Sequence, residues 1–360
     1  MKHSMDHKKL SRFAVVLAGV TVMACGLLAA TGYVQTNLTS NNASGHGAFT
    51  DPNLVNAWGV AYLGTGVFWV TDNGTGKSTL YADNGQPQSL VVTVPPASGT
   101  GTGSPTGIVA NATTDFKVTE GAKSGAAAFI FDSEDGVITG WSPTVNATGA
   151  VIAVNNSSTD AVYKGLAIGV NAGANVLYAT NFFSGKVEMY DGSFNLVSTF
   201  TDTHGTAGYA PFGIQNINGT LYVTFAKQNA SKQNQVNGAG LGFVDAFDQS
   251  GTLIMRVASH GKLNAPWGLA VAPANFGTLS NDLLVANVGD GKINAYSPTT
   301  GAFLGTVENS AGKPIAISGL WGIEFGNGGQ GGPTNSLFFA AGPKGYASGL
   351  FGTLTAAAAR

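Results

Sequence analysis

The sequence predicts an all-β fold, a six-bladed β-propeller closed by an N-terminal strand, and three observations carry that expectation. Six times a glycine follows a bulky or polar residue at the head of an apolar run: Trp58-Gly59-Val60, Thr106-Gly107-Ile108, Lys164-Gly165-Leu166, Phe212-Gly213-Ile214, Trp267-Gly268-Leu269 and Trp321-Gly322-Ile323. The glycines stand 48 to 58 residues apart, the period of a repeat array whose unit is a four-stranded sheet. Composition agrees, with 10% charged residues and 52 glycines in 360, and no segment after residue 30 reads as an amphipathic helix. Such usage suits short strands joined by tight turns. The third observation is that the last repeat lacks a fourth strand, while Val34, Thr36 and Leu38 alternate with Gln35, Asn37 and Thr39 at the other end of the chain. One sheet joining both ends removes the exposed edges that an open ring would leave.

Residues 1–32 read as an export signal and residues 33–360 as a single propeller domain. Lys2, Lys8, Lys9 and Arg12 form a basic head before an apolar run from Phe13 to Ala30. Small residues at Ala29, Ala30 and Gly32 suit a signal peptidase. A retained membrane anchor is the rival reading, because the run is about long enough to span a bilayer. Val22-Met23-Ala24-Cys25 is similar to a bacterial lipoprotein box, with an inert cysteine in a cleaved signal as its alternative. Removing residues 1–30 takes away four basic residues and Asp6, moving the formal charge from −2 to −5, and removes the one cysteine. A monomeric, mildly acidic chain without basic clusters is expected, free of nucleic acid and, once the signal is cleaved, of membrane. Its address would be periplasmic or extracellular.

Within each blade the second and third strands repeat more tightly than the first. Val70-Thr71-Asp72 with Gly76-Lys77 and Tyr81 matches Ala179-Thr180-Asn181 with Gly185-Lys186 and Tyr190. Val285-Ala286-Asn287 with Gly291-Lys292 and Tyr296 follows the same spacing, and Phe131-Asp132 with Gly136-Val137 and Trp141 keeps it without the lysine. Asp, Asn and Gly supply the backbone conformations that hairpin turns require, and the recurring aromatic is expected to pack between blades. Blade four departs, with Phe225 at the Asp/Asn position and a polar insertion, Lys227 to Gly240, before Phe243–Phe247. Blade six has Leu337–Ala341, then Gly342-Pro343-Lys344-Gly345 and a third strand around Gly349–Leu354.

Pro211-Phe212-Gly213-Ile214 and Leu177-Tyr178-Ala179-Thr180-Asn181 followed by Lys186-Val187 resemble NHL-type six-bladed propellers. The resemblance covers nearly all of residues 33–355. Tyr33-Val34-Gln35-Thr36-Asn37-Leu38-Thr39-Ser40, Asp51-Pro52-Asn53-Leu54-Val55-Asn56-Ala57-Trp58-Gly59 and Leu320-Trp321-Gly322-Ile323-Glu324-Phe325-Gly326 look like a family of exported bacterial propellers. That resemblance implies architecture and export, and no particular chemistry. Gluconolactonase-like and calcium-dependent phosphotriesterase-like propellers are more distant likenesses. They carry a metal on the ring axis, with several ligands at the residue between proline and glycine that opens a blade. Here those positions are Trp58, Thr106, Lys164, Phe212, Trp267 and Trp321, none of them a carboxylate or amide. Hard cations need oxygen ligands in number, so no metal and no cofactor is expected, and inherited lactonase chemistry is disfavoured. Glu324, Asn56 and Asp72 could build a site only by converging.

Other apparent motifs dissolve. Gly74-Thr75-Gly76-Lys77-Ser78-Thr79 looks like a phosphate loop, but position 71 is threonine and the segment lies between strands rather than opening a helix. His46, His204 and His260 are too far apart in sequence to read as a metal pair. Asp132-Ser133-Glu134-Asp135-Gly136 fails the EF-hand pattern and reads as a solvated hairpin.

The functional expectation is an exported, non-catalytic propeller that binds a small molecule, glycan or protein on one ring face. Trp58, Phe212, Trp267 and Trp321 would form a stacking surface at the central mouth, with Lys164, Asn56 and Glu324 as its polar groups and Lys227–Gly240 beside it. The other reading of these rings is a plug that fills the axis. A metal-dependent hydrolase or lyase with an axis site, and a structural envelope or matrix protein, are the alternatives.

Overall fold

The computed structural model describes Met1, residues 32–204 and residues 206–358. The export signal, the anchor alternative and Cys25 lie outside the described residues. Among the described residues no helix is long and apolar enough to cross a membrane.

Six sheets stand around an axis, and in the first five the chain builds an antiparallel sheet from the inside outward. The inner strands are Ala57–Ala61, Pro105–Ala110, Tyr163–Asn171, Tyr209–Ile217, Pro266–Val271 and Leu320–Phe325. They touch in ring order, and the sixth meets the first. Blade six takes its outer strand from Tyr33–Ser40, antiparallel to Leu350–Ala356. Tyr33 fastens this strand to blade five, its hydroxyl accepting the Leu279 amide at 3.0 Å and its ring lying 4.8 Å from Phe276. Blade two carries an extra hairpin, Lys117–Glu120 with Lys123–Ala126, which the sequence reading did not anticipate.

The repeated glycines have a common cause. All six inner strands lose register across the bulky-Gly pair, at Ala57/Val60, Pro105/Ile108, Tyr163/Leu166, Pro211/Ile214, Pro266/Leu269 and Leu320/Ile323. In each blade two residues of the inner strand stand against one of its neighbour, as Thr106 and Gly107 stand against Asp132. Such bulges bend a strand and re-aim side chains. At Gly59, Gly165, Gly213, Gly268 and Gly322 an added Cβ would fall closer than 3.0 Å to a carbonyl oxygen of the next blade, that of Thr106, Phe212, Trp267, Trp321 and Trp58 respectively. None of the six takes a positive φ. The requirement is close approach of neighbouring backbones, not backbone conformation.

Threonines of the second strands stitch these backbones together. The Thr71 hydroxyl accepts from the Gly59 amide at 2.7 Å and donates to Thr106 O of the next blade at 2.6 Å. Thr180 donates to Phe212 O at 2.8 Å, and Thr224 accepts from the Gly213 amide at 2.8 Å. The recurring aromatics Tyr81, Tyr190, Tyr296 and Trp141 are buried, each against residues of the preceding blade.

In blade two the clamp is a carboxylate. Asp132 is fully buried. Its Oδ1 accepts from the Gly107 amide at 2.6 Å and the Thr106 hydroxyl at 2.9 Å, while Oδ2 has no partner. Burial pushes its pKa up to about 7, against these hydrogen bonds and the Lys164 charge, which lower it. The solvated hairpin expected at 132–136 is therefore corrected: Asp135 Oδ2 also turns inward, accepting the Ser104 amide at 2.6 Å. Because the folded protein holds the Asp132 proton to higher pH than the unfolded chain, this group's contribution is full below about pH 4 and fades as pH rises towards 7. Asp132→Asn should thus gain on the wild type across that window, by at most about 4 kcal/mol. Thermal melts of both proteins at intervals from pH 4 to 7 check this, and a constant difference would refute it.

Candidate functional site: the two ends of the axis

The bulges deliver their bulky residues to one end of the axis, where these pack together. Trp58 stacks on Trp321 with centroids 3.4 Å apart and planes at 15°. Trp267 meets both edge-on, at 5.9 and 6.1 Å, and Phe212 meets Trp321 at 5.9 Å. All four are buried, Trp267 the most exposed at 8%. The rings fill the axis rather than line an open mouth, because the inner strands approach too closely to leave space between them. Tyr346 lies over Trp321 at 5.6 Å. The Lys227–Gly240 loop reaches this cap through Gln235, whose Nε2 donates to the Tyr346 hydroxyl at 3.3 Å.

Polar groups are folded into the plug. The Lys164 ammonium is wholly buried, pairs with Glu134, and lies 5.4 Å from the Trp58 ring and 5.7 Å from Phe182. Asn73 donates to Glu134 Oε2 at 3.0 Å and accepts from Asn56 Nδ2 at 2.9 Å. Asn56 Oδ1 in turn accepts the Trp321 indole N–H at 3.1 Å. The Trp267 indole donates to Lys164 O at 2.9 Å. Asn56 and Lys164 are thus members of the plug's internal network. Asp72 is buried inside its blade, accepting from the Thr79 hydroxyl at 2.8 Å. Asn56, Asp72 and Glu324 do not converge.

Glu324 belongs to the other end, three residues along the inner strand from Trp321. There the axis opens into a vestibule of two lobes, about 300 and 370 Å³, which share Gln215, Asn216 and Glu324. Behind them a chamber of about 30 Å³ reaches Trp267. The walls include Ala61, Val109, Ala167 and Ala270, the residues three positions beyond Trp58, Thr106, Lys164 and Trp267. That register was in the sequence and went unread, which is why Gln215, three beyond Phe212, was missed.

Gln215 reaches Glu324 past blade five, Nε2 donating to Oε2 at 3.2 Å, and the Phe325 amide donates to Oε1 at 3.1 Å. Burial pushes the Glu324 carboxyl up to about 7 despite these two bonds. At the rim, burial and then the charge of Glu324 push the Tyr62 phenol up to about 12. Among the described residues no basic side chain lines the vestibule. No group of three or more His, Cys, Asp or Glu among them stands ready to hold a metal ion.

Fold and axis define a β-propeller of the six-bladed type, with one end of the axis plugged. Solved structures of that architecture superpose on most of the chain. Virginiamycin B lyase from Staphylococcus aureus gives a TM-score of 0.51 at 13% identity, covering 90% of this chain and 98% of that one. A gluconolactonase from Xanthomonas campestris gives 0.52 at 13%, covering 84% and 86%. The soluble aldose sugar dehydrogenase of Escherichia coli gives 0.53 at 13%, covering 90% and 99%. At such identities the likeness is one of fold. No protein-family model matches the chain. In sequence it is 32% identical over 298 residues to the uncharacterized protein R648 of Acanthamoeba polyphaga mimivirus, covering 80% of this chain and 73% of that one. With the uncharacterized protein L690 of the same virus it shares 31% over 298 residues, covering 80% and 78%. The chain belongs to the family of these two proteins.

Proposed function

We propose that this chain is an exported, non-catalytic propeller that binds a small molecule in the axial vestibule, on the face opposite the plug. The observation carrying this reading is a carboxyl group set in a concave site among alanine and valine side chains, with a single side-chain partner, Gln215. Concave apolar sites with a few placed polar groups are what small-molecule sites look like. The basic head and apolar run of residues 1–30 support export. A plugged axis confines a ligand to one mouth. The test fills that mouth: Ala61, half-buried on the vestibule wall, is replaced by tryptophan, and both proteins are screened by thermal shift against small organic cations, acids, alcohols and sugars. Compounds that raise the melting temperature of the wild type and not of Ala61→Trp are expected. Shifts equal in both proteins, or none in either, would count against the reading.

A second reading, a structural component joined through its ring edge, is favoured by apolar side chains on the outer strands. Leu196, Val197, Ile254, Phe303 and Leu304 stand about half exposed on blades three, four and five. Such side chains on open edges suit lateral contact.

A further inference from the structure

We infer that the ligand of the vestibule is a small organic ammonium ion, its N–H groups donated to the carboxylate of Glu324 and its carbon skeleton resting on the alanine and valine walls. This rests on the vestibule being the binding site and adds the chemistry of what enters it. Three features of the cavity select the class.

The first is uncompensated charge. Glu324 is the one acidic side chain lining the cavity, and no Lys, Arg or His among the described residues lines it. Each oxygen accepts one hydrogen bond, at 3.2 and 3.1 Å, leaving lone pairs for a further donor. A desolvated carboxylate gains most from a cation brought against it.

The second is the number of acceptors. Gln215 gives its Nε2 to Glu324, so its carbonyl oxygen stays an acceptor with no protein partner among the described residues. Asn216 is committed, donating to Ile168 O at 2.9 Å and accepting from Gly219 N at 3.2 Å. Two open side-chain acceptors are few for a calcium ion, which takes six to eight oxygens, and enough for an ammonium group with up to three donors.

The third is the wall. Ala61, Val109, Ala167, Ala270 and Val271 offer short aliphatic surface, and Tyr62 and Phe325 are the aromatic side chains of the two lobes. Methylene groups lie well there.

The charge logic fixes a pH dependence. Binding needs the ionised carboxylate, and burial holds Glu324 near pH 7. The other titratable group on the vestibule wall is Tyr62, neutral throughout the physiological range. Affinity for a permanently charged ligand therefore rises with pH as the proton leaves Glu324.

The experiment is calorimetric titration of the propeller with n-butylammonium, ethylammonium and, as the neutral counterpart, n-butanol. Wild type, Glu324→Gln and Ala61→Trp are each measured at pH 6 and pH 8. We expect both cations to bind wild type about tenfold more tightly at pH 8 than at pH 6, and to lose binding in Glu324→Gln and in Ala61→Trp. The pH ratio in the wild type reads the same charge without any substitution, should a variant fail to fold. Equal binding of butanol and butylammonium, or cation binding that survives Glu324→Gln, overturns the ammonium assignment. If Ala61→Trp still abolishes that binding, the vestibule as a site stands. No binding of either cation to wild type also overturns the assignment, and the wider screen against Ala61→Trp then judges the vestibule alone.

Discussion

Gly213→Ala is expected to lower stability by about 3 kcal/mol or more, the upper range for forcing atoms into a packed interior. The new Cβ would collide with Trp267 O, a backbone atom of the next blade that no rotamer change can move aside. Relief requires the inner strands of blades four and five to separate. That would also strain the bond from the Gly213 amide to the Thr224 hydroxyl. Gly305→Ala is the matched control, since its Cβ would meet Leu279 Cδ2 at 3.4 Å, ordinary contact, without a positive φ. In a strand that change should be neutral or slightly stabilising. Urea or thermal unfolding of the two variants decides the point. Equal effects would mean that the glycine period has another cause than the packing of inner strands.

Glu134→Ala should be the second large effect. It leaves the Lys164 ammonium buried among Trp58 and Phe182 with no carboxylate beside it, and Asn73 loses an acceptor at 3.0 Å. Breaking one side of a buried pair costs about 3–5 kcal/mol. Glu134 itself is 27% exposed, which places the expected loss at the lower end, about 3 kcal/mol. The double change Lys164→Met with Glu134→Gln should recover most of it, because no charge is then left inside. Unfolding free energies of the wild type, Lys164→Met, Glu134→Gln and the double change complete the cycle, with Glu134→Ala measured beside them. A cost below about 1 kcal/mol for Glu134→Ala would mean that the lysine finds water or sheds its proton.

What the sequence disclosed follows from which constraints are local. The glycines of the inner strands, the Asp/Asn and Gly of the hairpins and the aromatics of the third strands repeat because each blade meets its neighbour in the same way. A repeated contact writes a repeated residue. The missing strand of blade six was legible from counting, and the alternation of residues 34–39 named the segment that occupies its place. The blade-two hairpin at 117–126 has no counterpart in the other repeats, so the period said nothing of it.

The site was legible in part. The six axis positions could be read, but their occupancy depends on how near the strands come, a distance that no spacing reveals. Glu134 read as part of a solvated turn and Lys164 as a polar group of the mouth, because their pairing spans 30 residues and two blades. Glu324 was expected beside the aromatic residues of the mouth, whereas it lies at the opposite end of the axis. Its partner Gln215 lies 109 residues away, and only the superposition of blades four and six brings the two together.

The pairing of Tyr33–Ser40 with Leu350–Ala356 sets an order of events for a chain made from its N-terminus. Its earliest propeller residues have no strand partner until residues 350–356 have been made. Until then the first segment waits without its strand partner, and the fifth and sixth blades stand open where Tyr33 and Phe276 will meet. Contacts so distant along the chain make ring closure a late and slow step. A chain released before Leu350–Ala356 is made would leave Tyr33–Ser40 without that partner, so the first segment of the propeller is ordered only when the sixth blade is present.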